Sequence, residues 1–150
     1  MSAPSCLLDT SALARFLAED DAQNALLRAT IGRLASEGTS MCFTPQVSRE
    51  CWAVLSRPRD VGGFGFSFED TANLIHGAHA GLTFIPDTPD VYSKWLEIVM
   101  QYQVLGRQVH DAYHVAAMIS HGITRVLTLD DRDFRRYSNI SVIHPSDVSA

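Results

Sequence analysis

Asp9, Glu50, Asp111 and Asp130 are the residues whose type and placement suggest chemistry. Asp9 ends the apolar run SCLLD, and Asp130 follows the run RVLTL. If both runs are strands of one parallel sheet, the two carboxylates fall on the same edge. Glu50 lies in PQVSRECWAVLS, whose apolar stripe is Val47, Cys51, Val54 and Leu55. With Val47 at zero and about 100° per residue, Glu50 falls at about 300°, Val54 at about 340° and Cys51 at about 40°. Glu50 thus belongs to the apolar side of its helix. Asp111 is similar, because Val115 and Met118 fall within about 40° of it. A carboxylate on a buried helix face is costly unless it is paired or holds a cation. Oxygen donors alone select a hard ion, Mg²⁺ or Mn²⁺. Such an ion can activate water for attack on a phosphodiester, and a second can stabilise the leaving oxygen.

Each acid also has a purely structural explanation. Asp9 could cap the helix that follows, although Ser11 is available for that role. Glu50 could pair with Arg49 or Arg57. Asp111 could be a first-turn acid favoured by the helix dipole. Asp130 and Asp133 have the spacing of a cap before a short helix. The joint placement of the four carries the functional reading.

The elements that must position them follow from apolar periodicity. Strands are expected at Ser5–Asp9, Met41–Thr44, Thr83–Ile85, Arg125–Leu129 and Ser141–His144. Helices are expected after Ser11, over 20–36 with Asp20 or Asp21 as the start, and from Pro45 to Ser56. Further helices follow over 67–82, 91–102 and 108–121, with a short one at 131–136. Trp95 falls in the apolar stripe of 91–102 and reads as core; Trp52 and Tyr102 would suit an interface as well as a core. Short apolar strands between longer helices predict an α/β fold whose parallel sheet is covered on both faces. Ligands of such sheets bind beyond the strands' carboxyl ends, where the strand order reverses. Residues 57–67, with three glycines, read as a loop between helices and not as a domain boundary.

Composition sets the frame. The chain has 150 residues, 46% apolar and 19% charged, which fits one globular domain over 1–150. No apolar run is long enough to span a membrane, and the opening segment, interrupted by Asp9, does not read as a secretory leader. Cys6, Cys42 and Cys51 lack zinc-site spacing and read as reduced thiols of a cytoplasmic protein, two of them on buried strands. The net charge of −5 argues against a protein that works chiefly by neutralising phosphates. It leaves open an enzyme whose acids gather in one metal site. Eleven of twelve basic residues are arginine, a bias that suits phosphate and base recognition and equally suits arginine-preferring codon usage.

The segments LLDTSAL, TPQV…E, HDAYHVAAMISHG and LTLDDRDF resemble the PIN-domain nucleases, and TPQVSRECW…SRP…G resembles their VapC-type toxins. The resemblance spans nearly the whole chain in order. It implies a three-layer α/β/α fold with about five parallel strands and a Mg²⁺- or Mn²⁺-dependent endoribonuclease. The family's acids fall on Asp9, Glu50, Asp111 and Asp130, with Asp133 as an extra metal-site acid. Thr10 or Ser11 matches a hydroxyl near the first aspartate, and Arg49 joins them as an expected substrate contact. RNA as substrate, a cognate antitoxin and a homodimer are implied partners. His110 and His114 depart from the pattern. Their i, i+4 spacing would suit a metal pair, but surface or subunit-contact roles are the ordinary expectation. The loop 62–68 is longer than a minimal connection and could be a substrate lip, a partner contact or a plain loop.

Two other functions compete. A PIN-like module could bind RNA or protein without cutting, since fold does not fix function. A haloacid-dehalogenase-like phosphatase would use Asp9 as nucleophile, but it wants an acid two residues later, where Ser11 stands.

Overall fold

The computed structural model describes residues 4–148, so the expected 1–150 domain and the opening Met-Ser-Ala segment reach beyond the described residues. The elements alternate along the chain. β1 (Ser5–Leu8), α1 (Thr10–Leu17), α2 (Asn24–Ser36), β2 (Ser40–Phe43), α3 (Pro45–Ser56) and α4 (Phe68–Gly81) come first. β3 (Thr83–Phe84), α5 (Val91–Tyr102), α6 (Gln108–Ser120), β4 (Arg125–Leu127) and β5 (Ser141–Ile143) complete them.

The five strands form one parallel sheet in the order β3-β2-β1-β4-β5, and helices cover it in a three-layer α/β/α arrangement. β1 lies at the centre, with Leu7 opposite Cys42 on one side and Val126 on the other. Chain order runs outward from β1 through β2 and β3, then returns to β4 on the far side. The reversal lies between β1 and β4, where such sheets open a crevice at the carboxyl ends. Leu7, Leu8, Phe43, Val126 and Leu127 are fully buried, as strands covered on both faces require. All three cysteines are free and buried, and burial pushes Cys6 and Cys51 up to about 12, which leaves them inert thiols.

Local chemistry moves some expected boundaries. Asp9, not Ser11, caps α1: its Oδ1 accepts the Ala12 amide at 3.0 Å. Ser11 instead donates to the same Oδ1 at 2.8 Å. α2 starts at Asn24 and not at Asp20 or Asp21. Asn24 turns its buried side-chain amide back onto the Arg15 and Phe16 carbonyls, satisfying the end of α1. α3 has the expected start, with Thr44 accepting the Val47 amide and Pro45 in the first turn. The late strand ends at Leu127, and the helix expected at 131–136 is a single 3₁₀ turn over Asp131–Asp133.

Candidate active site

At the carboxyl end of β1, Asp9 is only 6% exposed. Its Oδ1 takes the two bonds just described, and its Oδ2 accepts the Thr128 hydroxyl at 2.5 Å. Thr128 follows β4, and its Oγ1 also receives the Asp130 amide at 2.9 Å. Ser11 Oγ accepts the Leu129 amide at 3.1 Å. The loops after β1 and β4 are therefore laced together at the topological switch. Burial nonetheless pushes the Asp9 carboxyl up, beyond what its hydrogen bonds offset.

Glu50 projects from α3 and is held by three donors. Thr10 donates to Oε1 at 2.7 Å, and Gln46, one turn earlier, donates to Oε2 at 2.9 Å. His114 Nε2 lies 3.1 Å from Oε1 and donates to it, since a carboxylate can only accept. Partial burial raises the Glu50 carboxyl, but these bonds and the charge of His114 outweigh it and hold it at about 2. The alternative pairing of Glu50 with Arg49 or Arg57 does not occur, and its partner is His114. That histidine is 2% exposed, so the surface or subunit-contact role expected for it is overturned. Its buried face of α6 brings it to Glu50 and sets it apart from the exposed His110.

Asp111, one turn before His114, is pushed up to about 6, first by burial and then by the charge of Asp133, with Glu50 and Asp9 adding to it. Asp133 is pushed up by burial and by Asp130. Thr10, Glu50, Asp111 and Asp133 line a cavity of about 470 Å³, with Arg57 and Arg107 also on its wall. Asp9 is not on that wall, and neither is Asp130, which is exposed and sits beside Asp133 in the chain. Arg49 lies outside this cavity, in the wall of a neighbouring one.

Among the described residues, no three His, Cys, Asp or Glu side chains converge closely enough to form a ready-made cation site. Nor does any arginine or lysine form an ion pair with Asp9, Glu50, Asp111, Asp130 or Asp133 among them. The donor set is oxygen-rich, and burial together with the charge of Asp133, Glu50 and Asp9 raises the Asp111 carboxyl despite the opposing charge of His114. That chemistry fits a hard divalent cation.

The residues not singled out from sequence are Gln46, Thr128, Arg57 as a cavity arginine, and Arg107. Gln46 had a signal, because it precedes Glu50 by one helical turn. Thr128 stands two positions before Asp130, near enough to bind its amide. The two exposed arginines carry no pattern that marks them.

The sequence profile of the PIN domain matches residues 6–140. The chain matches no curated protein sequence. It is similar in fold to a chain of the VapBC2 complex from Rickettsia felis, bound to a DNA fragment from its promoter. The TM-score is 0.73 at 12% identity, over 93% of this chain and 98% of that one. DNA-bound VapBC from Salmonella typhimurium gives 0.72 at 15% identity, covering 95% and 98%. VapC20 of Mycobacterium tuberculosis, a toxin that cleaves the sarcin–ricin loop, gives 0.59 at 19% identity, covering 81% and 86%.

Proposed function

The chain belongs to the PIN domain family, and from that premise we propose that it is a Mg²⁺- or Mn²⁺-dependent endoribonuclease. We assign residues 1–150 to one nuclease domain acting in the cytoplasm as the toxin of a toxin–antitoxin pair. One observation carries the reading. Carboxylates from four separate segments act on one another electrostatically at the sheet's switch point, with His114 against Glu50 and no arginine or lysine paired to them among the described residues.

Asp9, Glu50 and Asp111, with Asp130 and Asp133 from the neighbouring turn, are the residues that would hold the ion. When bound there, it would supply Lewis acidity and water activation for hydrolysis of a phosphodiester. The protein's own groups prepare the site. Thr10, Gln46 and His114 fix both oxygens of Glu50. Ser11 and Thr128 fix those of Asp9. Arg57 and Arg107, exposed on the cavity wall, supply the positive charge that draws an RNA phosphate into an otherwise acidic protein. The named VapBC assemblies of the similar structures support an antitoxin as partner, and we add a homodimer to the proposal.

Asp9→Asn and Asp111→Asn test the proposal. Each should lower RNA cleavage in Mn²⁺ by about a hundredfold or more. Full activity in both purified variants refutes it. A second reading, an RNA- or protein-binding module that does not cut, is favoured by the lack of a ready-made cation site among the described residues. Calorimetric titration with Mn²⁺ separates the two. Saturable binding supports the nuclease, and no binding at millimolar metal supports the inert module.

A further inference from the structure

Beside the acidic cavity lies a second one of about 340 Å³, lined by Gln46, Arg49, Trp95, Val109, His110 and Tyr113. Its size falls in the range of small-ligand clefts, roughly 300–1,000 Å³. His110 lines both cavities, so the two adjoin. Gln46 forms part of the shared structure, because its Nε2 donates both to Glu50 and to the His110 carbonyl at 2.9 Å.

We propose that this second cavity holds an unpaired RNA base next to the phosphodiester that is cut, with Trp95 and Tyr113 as stacking surfaces and Arg49 on its edge or phosphate. The inference rests on the nuclease reading and names the feature of the substrate that the site grips. Four observations carry it. Trp95 and Tyr113 are neighbours, with ring centroids 6.2 Å apart, and both line the cavity. The indole is locked in place, because its Nε1 donates to the Val109 carbonyl at 2.7 Å. A rigid aromatic loses little freedom when a base stacks on it. Arg49 is exposed, and its guanidinium has no side-chain partner among the described residues, so it is free for a base plane or a phosphate.

The fourth observation is Gln46. Both bonds from its Nε2 go to groups that only accept, so the orientation of its amide is set. Its Oε1 is left buried without a partner. Gln46 thus gives the cavity a rigid wall tied to Glu50, against which a base can seat. Paired bases are stacked and closed to such contact, which is why the ligand is single-stranded RNA. Charge and planarity together favour a nucleotide over the side chain of a partner protein.

Binding is measured by fluorescence anisotropy in EDTA, so that no strand is cut. The probes are a labelled pool of randomised single-stranded RNA octamers and an abasic ribose-phosphate strand of the same length. The pool should bind about tenfold or more tightly than the abasic strand. Arg49→Ala and Trp95→Leu should bring pool affinity close to that of the abasic strand, while Trp95→Phe keeps most of it. Arg49 is at the surface, so its variant reports even if Trp95→Leu fails to fold. Equal binding of the two strands, no binding of the pool, or unchanged affinity in Arg49→Ala overturns the proposal. In those cases the cavity is left to a protein partner. Cutting of the pool by the unaltered protein in Mn²⁺ is scored separately. Cutting with unaltered affinity in the pocket variants sinks the base site alone, whereas base-dependent binding without cutting sinks the nuclease reading alone.

Discussion

His114 and Glu50, 64 positions apart on two different helices, meet through a hydrogen bond of 3.1 Å that joins α6 to α3 beneath the acidic cavity. The histidine is almost wholly buried, and the glutamate is about one-third exposed. This contact aims one Glu50 oxygen, Gln46 aims the other, and together they explain why a half-buried acid titrates below the ordinary carboxylate range.

His114→Ala should therefore raise the Glu50 carboxyl from about 2 toward its ordinary value of 4.5. It should also destabilise the fold by about 1–3 kcal/mol, since it opens a gap and removes a charge-assisted bond. NMR titration of Glu50 and urea unfolding check the two effects. An unmoved Glu50 titration would show that Thr10 and Gln46 suffice.

Thr128→Val keeps the shape of the side chain but removes the hydroxyl that serves both Asp9 Oδ2 and the Asp130 amide. Asp9 should then rise further, because one of the bonds opposing its burial is gone. The expected loss of stability is about 1–3 kcal/mol. Thr128→Ser should restore most of it; a serine variant as unstable as the valine one would place the effect in packing.

Stability of the metal-free protein should depend on pH in two opposed ways. Asp111 is raised from 3.8 to about 6, so the folded state binds more protons than the unfolded one across that interval. Its contribution is fully present below about pH 4 and is lost as pH rises through 6. Glu50 is lowered from 4.5 to about 2, so its contribution is present above pH 4.5 and is lost as pH falls through 2. Melting temperatures measured from pH 3 to pH 8 should peak at about pH 4, where the two windows overlap and the opposing slopes cancel, and Asp111→Asn should flatten the side above it. Added Mn²⁺ should raise Tm more at pH 7 than at pH 5. An unchanged slope in Asp111→Asn would remove that carboxyl from the account.

Gly63 permits a close approach that no other residue allows. A Cβ there would lie 2.0 Å from the Arg57 carbonyl oxygen and 2.4 Å from the Arg57 Cβ. The loop is pinned on both sides of it, with Gly62 donating to Arg59 before it and Phe64 to Val54 and Gly65 to Arg57 after it. Neither backbone can yield cheaply, so Gly63→Ala should cost about 1–3 kcal/mol. It should also disturb Arg57 in the cavity wall. A thermal melt matching the parent would show that the loop relaxes freely.

The sheet was legible because short apolar runs alternate with amphipathic stretches, and Asp9 and Glu50 stood out as acids at apolar positions. Strand order was not, since nothing local says that β1 pairs with β4 across more than a hundred residues. The sequence offers both Ser11 and Asp9 as caps of α1, and only the strand end shows that the aspartate is already in place to do it. His114 was misplaced for a related reason. A histidine among apolar residues shows its purpose only once the facing helix is known, and Glu50 comes from a distant segment. Arg57 and Arg107 became visible only when folding set them around the same cavity as the acids.

The central pairing of β1 with β4 has a consequence for synthesis. Asp9 emerges early, but the hydroxyl that donates to its Oδ2 belongs to Thr128. A growing chain thus carries the first half of its acidic centre long before it can orient it. Any product that stops short of Thr128 keeps Asp9 and Glu50 but leaves Asp9 Oδ2 without that donor, so the centre is completed in a single late step and not by degrees.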